Sequence, residues 1–282
     1  MHIVTLSFDD GFERSSIRTA EIFERHGLLA ELNVLARESS DGWHSRWRKG
    51  DFRLWNELKA RGHYVMPHGY RHANKAELPL QDAQRLIERC LDVFSTELEG
   101  FEPSQASFAF PYNRSTSELE AWLGGCVRAF RTGGDPVMPL PQPEQQRVTC
   151  VSFGPERCDE HLLGTIDSFL SGPPGWLCYN LHGLDNEGWG PCASAPSTAC
   201  WKASSHAGYL CSRSWPRSTR CRRLSARARD AQVHAFGSHF AFAVPTGAIA
   251  QFGELLDRTQ EVAGSSPASS ISGPLRSPPK PE

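Results

Sequence analysis

Residues 2–12 read HIVTLSFDDGF. The first seven of these are dominated by Ile, Val, Thr, Leu and Phe, the composition of a β-strand. Two carboxylates, Asp9 and Asp10, stand side by side where that strand ends. Successive side chains on a strand point to opposite faces, so two neighbouring Asp residues do not easily do the same job. One is placed to bind a cation while the other approaches a different atom. Asp-Gly is also a common turn pair, and a plain turn accounts for Asp10-Gly11 as well.

Working outward, residues 14–26 carry Ile17, Ala20 and Phe23 three apart, and Gly27 closes the segment as a helix C-cap would. Strands are expected at 28–36, 63–67, 106–110, 127–131, 148–153 and 176–182. Helices are expected at 52–61 behind an Asp51 N-cap, at 80–99, after a Ser115/Glu118 capping box, and at 159–171. This alternation predicts parallel strands with crossover helices, either a barrel or an open sheet. Both architectures put their chemistry at the C-terminal ends of the strands. The polar residues worth naming fall at those ends: Asp9 and Asp10, His68, Pro111-Tyr112, Arg131 and His182.

His68 and His72 in HGYRH have a spacing that converges on one helix face or in a loop, and His is the commonest metal-ligating side chain. Two unrelated surface histidines would show the same spacing. With a carboxylate from another strand end, two His leave open positions on a metal, as catalysis requires. His182 in NLHGLD ends an apolar strand, where a satisfied core histidine is the commoner occurrence. Tyr112 and Asn113 also read as ordinary turn residues after Pro111.

Taken in order, SFDDG, HGYRH, FPY and LHG resemble the polysaccharide deacetylases, the chitooligosaccharide deacetylase homology domain of carbohydrate esterase family four. The resemblance covers residues 1–190. It implies an α/β fold, a distorted and incomplete (β/α) barrel of about seven strands. It also implies an enzyme that removes acetyl groups from N-acetylated, sometimes O-acetylated, sugars with a divalent metal. Position by position, Asp9 matches the general base, and Asp10, His68 and His72 match ligands of a metal that is usually Zn2+, in some members Co2+ or Ni2+. The backbone N–H of Tyr112 matches an oxyanion donor, and His182 matches the general acid. Many members place an Arg two residues before the Pro-Tyr to orient the base; here that position is Ala109. Arg131 is expected to supply the missing positive charge. The family's Asp-and-Trp motif after strand five is replaced by FRTGGDP. The expected substrate is a soluble or lipid-linked acylated amino sugar or glycoconjugate, with a non-sugar amide as the alternative. Trp43, Trp47, Trp55, Tyr70, Tyr112 and Trp189 offer flat faces for sugar rings, although aromatic residues are more often core.

Charge divides the chain. Residues 1–190 carry 19 basic and 27 acidic side chains, whereas 191–282 carry 11 and 5. No run is long and apolar enough for a membrane span. The absence of a leader pattern, with nine scattered cysteines and no Cys-x-x-Cys pair, predicts a cytoplasmic protein. Cys90, Cys126, Cys150, Cys158 and Cys178 read as small buried hydrophobes. From 191 to 229 there is no Asp or Glu, no Ile, Val, Phe or Met, and only two Leu. Three readings fit this tail: a basic nucleic-acid arm, disorder from composition, and out-of-frame translation of GC-rich DNA after Gly190. The last is preferred, and nucleic acid is not the expected partner. On that reading the barrel lacks a closing helix and strand and exposes apolar surface. Two other functional classes remain. Two His and one carboxylate also suit non-haem iron oxygenases, against which the βα alternation argues, and a catalytically impaired barrel would act as a binding protein.

Overall fold

The structure is a computed structural model that describes residues 2–37, 46–193, 233–236 and 239–242. Trp43, Cys200, Cys211, Cys221 and most of the tail lie outside the described residues. Strands β1 (His2–Phe8), β2 (Glu31–Val34) and β3 (Tyr64–Pro67) alternate with helices α1 (Glu13–Arg25) and α2 (Phe52–Ala60). Helix α3 (Leu80–Glu97) leads to β4 (Ser107–Ala109), α4 (Ser117–Leu123) and β5 (Ala129–Gly133). Then come the short β6 (Val137–Met138), β7 (Arg147–Cys150), α5 (Cys158–Ser171) and β8 (Gly175–Leu181). In the tail, β9 (Val233–Phe236) and β10 (His239–Phe242) pair antiparallel.

One sheet runs β3-β2-β1-β8-β6 and another β4-β5-β7. All pairings among β1, β2, β3, β4, β5, β7 and β8 are parallel. The two sheets meet at a single parallel bridge, Val151 with Tyr179. At the other seam β3 packs beside β4 without a shared ladder. The result is an α/β fold whose seven parallel strands trace an interrupted ring. β6 pairs antiparallel with β8 and was not anticipated.

As expected, the ring is incomplete among the described residues. β8 pairs with β1 over all seven residues, from His2 with Gly175 to Phe8 with Leu181. That place beside β1 is therefore filled before residue 190. Ile166 and Phe169 of α5 cover Val4 and Leu177 across the same junction. The gap in the ring lies between β3 and β4, which share no ladder.

The parity of each strand sorts its residues. Leu32, Val34, Phe108, Phe130 and Tyr179 face outward into the main core with Phe94 and Ile87 of α3. Ile3, Thr5 and Ser7 of β1, Glu31 and Asn33 of β2, Arg131 of β5 and Asn180 of β8 occupy the alternate, inward rows, and all are buried. The ring interior is thus polar toward its C-terminal end, where the rows run on to Asp9 and His182.

One cap differs from expectation. Thr116, not Ser115, caps α4 by accepting the Leu119 N–H at 3.3 Å; the Ser115 hydroxyl turns to Glu120 and Thr132. Asp51 caps α2 as expected, accepting the Leu54 N–H at 2.9 Å. Helix α1 buries Ser15, Ser16, Thr19 and Ala20, with Phe23 packed against the core; of the stripe read from Ile17, Ala20 and Phe23 face inward. Small side chains there let the helix approach the sheet closely.

Candidate active site

The turn after β1 reconciles the two readings of Asp10-Gly11. Both residues have left-handed backbone, φ 73° and 70°. Asp tolerates that region better than most residues, and Gly enters it freely. A Cβ on Gly11 would meet Trp55 and Val34 at 3.0 Å, so only Gly fits. The turn is what swings Asp10 away from Asp9. Trp55 is therefore a core residue that shapes the turn and offers no face to a sugar.

Asp9, at the end of the inward row, is buried under Arg131. The Arg131 Nη2 donates to both Asp9 oxygens at 2.6 Å, and Asn33 Nδ2 donates to Oδ1 at 3.1 Å. The other Arg131 terminal nitrogen donates to Asn113 Oδ1 at 2.8 Å. Arg131 is wholly buried; burial alone would loosen its proton, but Asp9 beside it holds the guanidinium charged. Ala109 and Arg131 are direct partners in the β4–β5 register. A guanidinium at 109 would lie next to a second one, whereas Ala leaves the volume to Arg131 alone. Arg131 sits within β5 and not at its end, contrary to expectation.

Asp10, His68 and His72 converge, with one ligand atom from each lying within 4.8 Å of the others. His68 Nε2 and His72 Nε2 stand 3.6 and 3.4 Å from Asp10 Oδ1. The two histidines lie in a loop after β3, so their spacing is that of a turn and not of a helix face. His68 Nδ1 is 2.9 Å from the Ala109 carbonyl, an acceptor, so Nδ1 carries the proton. That leaves the Nε2 lone pair between Asp10 and Asp9, 3.6 Å from an oxygen of each, buried and without a hydrogen bond. Burial pushes His68 well below the usual imidazole range, which keeps it neutral and able to ligate. Burial alone would raise the Asp10 carboxyl, but His72, Lys49, His182 and His68 pull it below its ordinary value. A neutral imidazole with an idle lone pair, a second imidazole and an ionised carboxylate suit a divalent cation with positions left open.

His182 follows β8 directly and is partly buried. Its ring meets Trp189 edge-on at 5.0 Å. Backbone joins the two rims, since the Asp9 N–H donates to the Leu181 carbonyl at 2.8 Å. Tyr112 has φ 59° and ψ 8°, which breaks the short 3-10 turn at Pro111–Asn113 and brings its ring centroid 4.4 Å from His72. Tyr112 remains 55% exposed.

Several residues escaped the sequence reading. Asn33 links Asp9, Ser7 and Glu31 through its amide. Glu31 is buried, and burial raises its carboxyl to about 7. Asn113 joins Arg131 to Ser152 and Asn180. Lys75 lies buried behind the histidine loop, near Gly69, with burial lowering its ammonium to about 8. Glu187, beyond β8, accepts the Ser15 N–H at 2.5 Å. That N–H is one of the first-turn donors of α1, whose N-cap Phe12 has no capping side chain. A carboxylate parity count could have flagged Glu31 and Asn33; nothing local to α1 points to Glu187.

No family model and no curated protein matches the chain. Among solved structures, it is similar to the CE4 domain of a multidomain xylanase from the hindgut metagenome of Trinervitermes trinervoides. The identity is 13% over 65% of this chain and 74% of that one, with a TM-score of 0.43. A family 4 carbohydrate esterase from Streptomyces lividans, in complex with acetate, gives 16% identity, 66% and 81% coverage and a TM-score of 0.45. The chitin deacetylase of the fungal pathogen Colletotrichum lindemuthianum gives 16%, 64% and 72%, and 0.46.

Among the described residues no helix is long and apolar enough to cross a membrane. Cys90, Cys150, Cys158 and Cys178 are buried thiols; Cys126 is partly exposed and Cys192 is buried as well.

Proposed function

We propose that the chain is a metal-dependent hydrolase that removes an acetyl group from an amide of an amino sugar or related carbohydrate. The observation that carries this is the Asp10, His68 and His72 cluster beside an Asp9 clamped by Arg131. The four ordered motifs support the same reading.

Asp10, His68 and His72 would hold the ion, Zn2+ first and Co2+ or Ni2+ as alternatives. When bound, such an ion supplies Lewis-acid polarisation and an acidified water. Asp9 takes the proton of the attacking water on its carboxylate. Arg131 and Asn33 hold that carboxylate in one orientation, so no reorganisation is needed as the proton arrives. The Tyr112 backbone N–H stabilises the charge that develops on the acetyl oxygen. His182, braced by Trp189, gives a proton to the departing amine. Residues 1–190 form the catalytic unit, with 191–282 a separate basic tail. The buried thiols of Cys90, Cys150, Cys158 and Cys178 favour a reducing, cytoplasmic setting.

Acetate release from a panel of N-acetyl sugars, with and without chelator, tests the reading. Activity should disappear with chelator, and Asp10→Ala should lose both bound metal and hydrolysis. Full activity in Asp10→Ala would overturn the assignment.

A further inference from the structure

The seam where the two sheets join holds a pair of thiols. β7 and β8 meet at the bridge of Val151 with Tyr179, made by the Val151 N–H to the Cys178 carbonyl at 3.2 Å and the Asn180 N–H to the Val151 carbonyl at 2.8 Å. Val151 and Tyr179 pack into the main core outside the ring. One step back on both strands, Cys150 and Cys178 therefore stand opposite each other and face inward. Both are buried in one cluster with Ile3, Val148 and Trp176. Neighbouring strands lie about 4.8 Å apart, within the ~4.4–6.8 Å between α-carbons that a disulfide spans. The concave inner face of the ring inclines the two β-carbons toward each other. Among the described cysteines, these two alone stand at partner positions on adjacent strands. The thiols are unequal. Burial raises both, Cys178 well above the usual thiol value. At Cys150 the Arg131 guanidinium opposes that rise, with Nη1 donating to the sulfur at 3.1 Å.

We propose that Cys150 and Cys178 form a reversible redox site, a dithiol that hydrogen peroxide converts to a disulfide tying the two sheets together. Cys150, the thiol that Arg131 helps to ionise, attacks one peroxide oxygen. The O–O bond breaks, the departing hydroxide takes up a proton to leave as water, and the sulfur becomes a sulfenic acid. The Cys178 sulfur then attacks the Cys150 sulfur. The S–O bond breaks and a second water leaves with the Cys178 proton. Two thiols and one peroxide thus give one disulfide and two waters, with two electrons passing from sulfur to oxygen. A dithiol reductant reverses the change. Burial keeps bulky oxidants away, so the site selects a small one that enters when the seam parts locally. The new bond closes the segment 150–178 and restricts the unfolded chain. It does so where the backbone joins the sheets through one bridge. This inference is independent of the chemistry assigned to Asp10, His68 and His72.

The test treats the reduced, folded full chain with hydrogen peroxide in the presence of chelator. Remaining thiols are then blocked with N-ethylmaleimide in denaturant, and the peptides are mapped by mass spectrometry. A peptide pair joined through Cys150 and Cys178, lighter by two hydrogens, should appear and should vanish with dithiothreitol. The oxidised chain should melt about 5–10 °C above the reduced one. Cys178→Ala should lose both the link and the shift, and Cys150→Ala serves the same purpose should that variant fail to fold. Recovery of Cys150 and Cys178 as blocked thiols after other cysteines have oxidised overturns the proposal. So does a link that forms only in denatured protein, or a linked chain that melts no higher than the reduced one.

Discussion

Replacing Arg131 by Met removes the one guanidinium that clamps Asp9. Arg131 is wholly buried and donates to both carboxylate oxygens at 2.6 Å, to Asn113 at 2.8 Å and to the Cys150 sulfur at 3.1 Å. Met fills most of the volume, so the loss is electrostatic: Asp9 stays buried with only Asn33 to satisfy it. Breaking a buried pair from one side costs about 3–5 kcal/mol. With a urea m-value of about 2 kcal/mol/M, the unfolding midpoint should fall by roughly 1.5–2.5 M. The double variant Asp9→Asn/Arg131→Met removes both charges. It should recover about 2–3 kcal/mol relative to the sum of the singles. It should also fold better than Arg131→Met alone, which keeps the comparison readable should that single variant fail to fold. Urea melts followed by near- and far-UV circular dichroism supply the cycle. Additivity within about 0.5 kcal/mol would refute the claim that the two residues form one unit.

Three other outcomes are expected. His182→Gln should lower kcat on N-acetyl sugars by about 10²–10⁴-fold while bound metal, measured by elemental analysis, is unchanged. Glu31 has its carboxyl raised to about 7 by burial. Its stabilising contribution is therefore fully present below the unfolded value near 4.5 and lost as pH rises through 7. Glu31→Gln should flatten that window, being up to roughly 3 kcal/mol more stable relative to wild type at pH 8 than at pH 4; parallel pH profiles in denaturant melts would refute this. Glu187→Ala should cost about 1–2 kcal/mol by uncapping α1, read as a lower melting temperature with faster amide exchange at Ser15.

The ring was largely legible because each strand is short, apolar and followed by a turn residue, and because the helices carry their own stop signals at Gly27, Gly62 and Gly100. Strand edges came out two or three residues long at both ends of 28–36 and at the end of 148–153, since apolar loop residues such as Leu35 and Phe153 extend the pattern beyond the ladder. That a carboxylate at the end of β1 could join His68 and His72 was legible from spacing and strand-end position; that it is Asp10 and not Asp9 came from the family resemblance. The geometry of Arg131 was not, because it depends on register: only when Ala109 and Arg131 lie side by side does a guanidinium from β5 reach Asp9. Ser115 misled because a capping box is a local pattern, while its hydroxyl is drawn off by Thr132 on a different strand. The β6 strand pairs through two residues only and has no periodicity to read.

The full-length ladder between β1 and β8 has a bearing on the order in which the chain is made. β1 leaves the ribosome long before its seven-residue partner β8, and the carboxylate that caps α1 follows at Glu187. At about 5–20 residues per second, some 10–35 seconds of translation separate the two. Throughout that interval one edge of β1 is an open template for any extended segment nearby. A nascent chain stalled before residue 175 should thus require a holdase and be degraded readily, and release past Glu187 should mark the moment protease resistance appears.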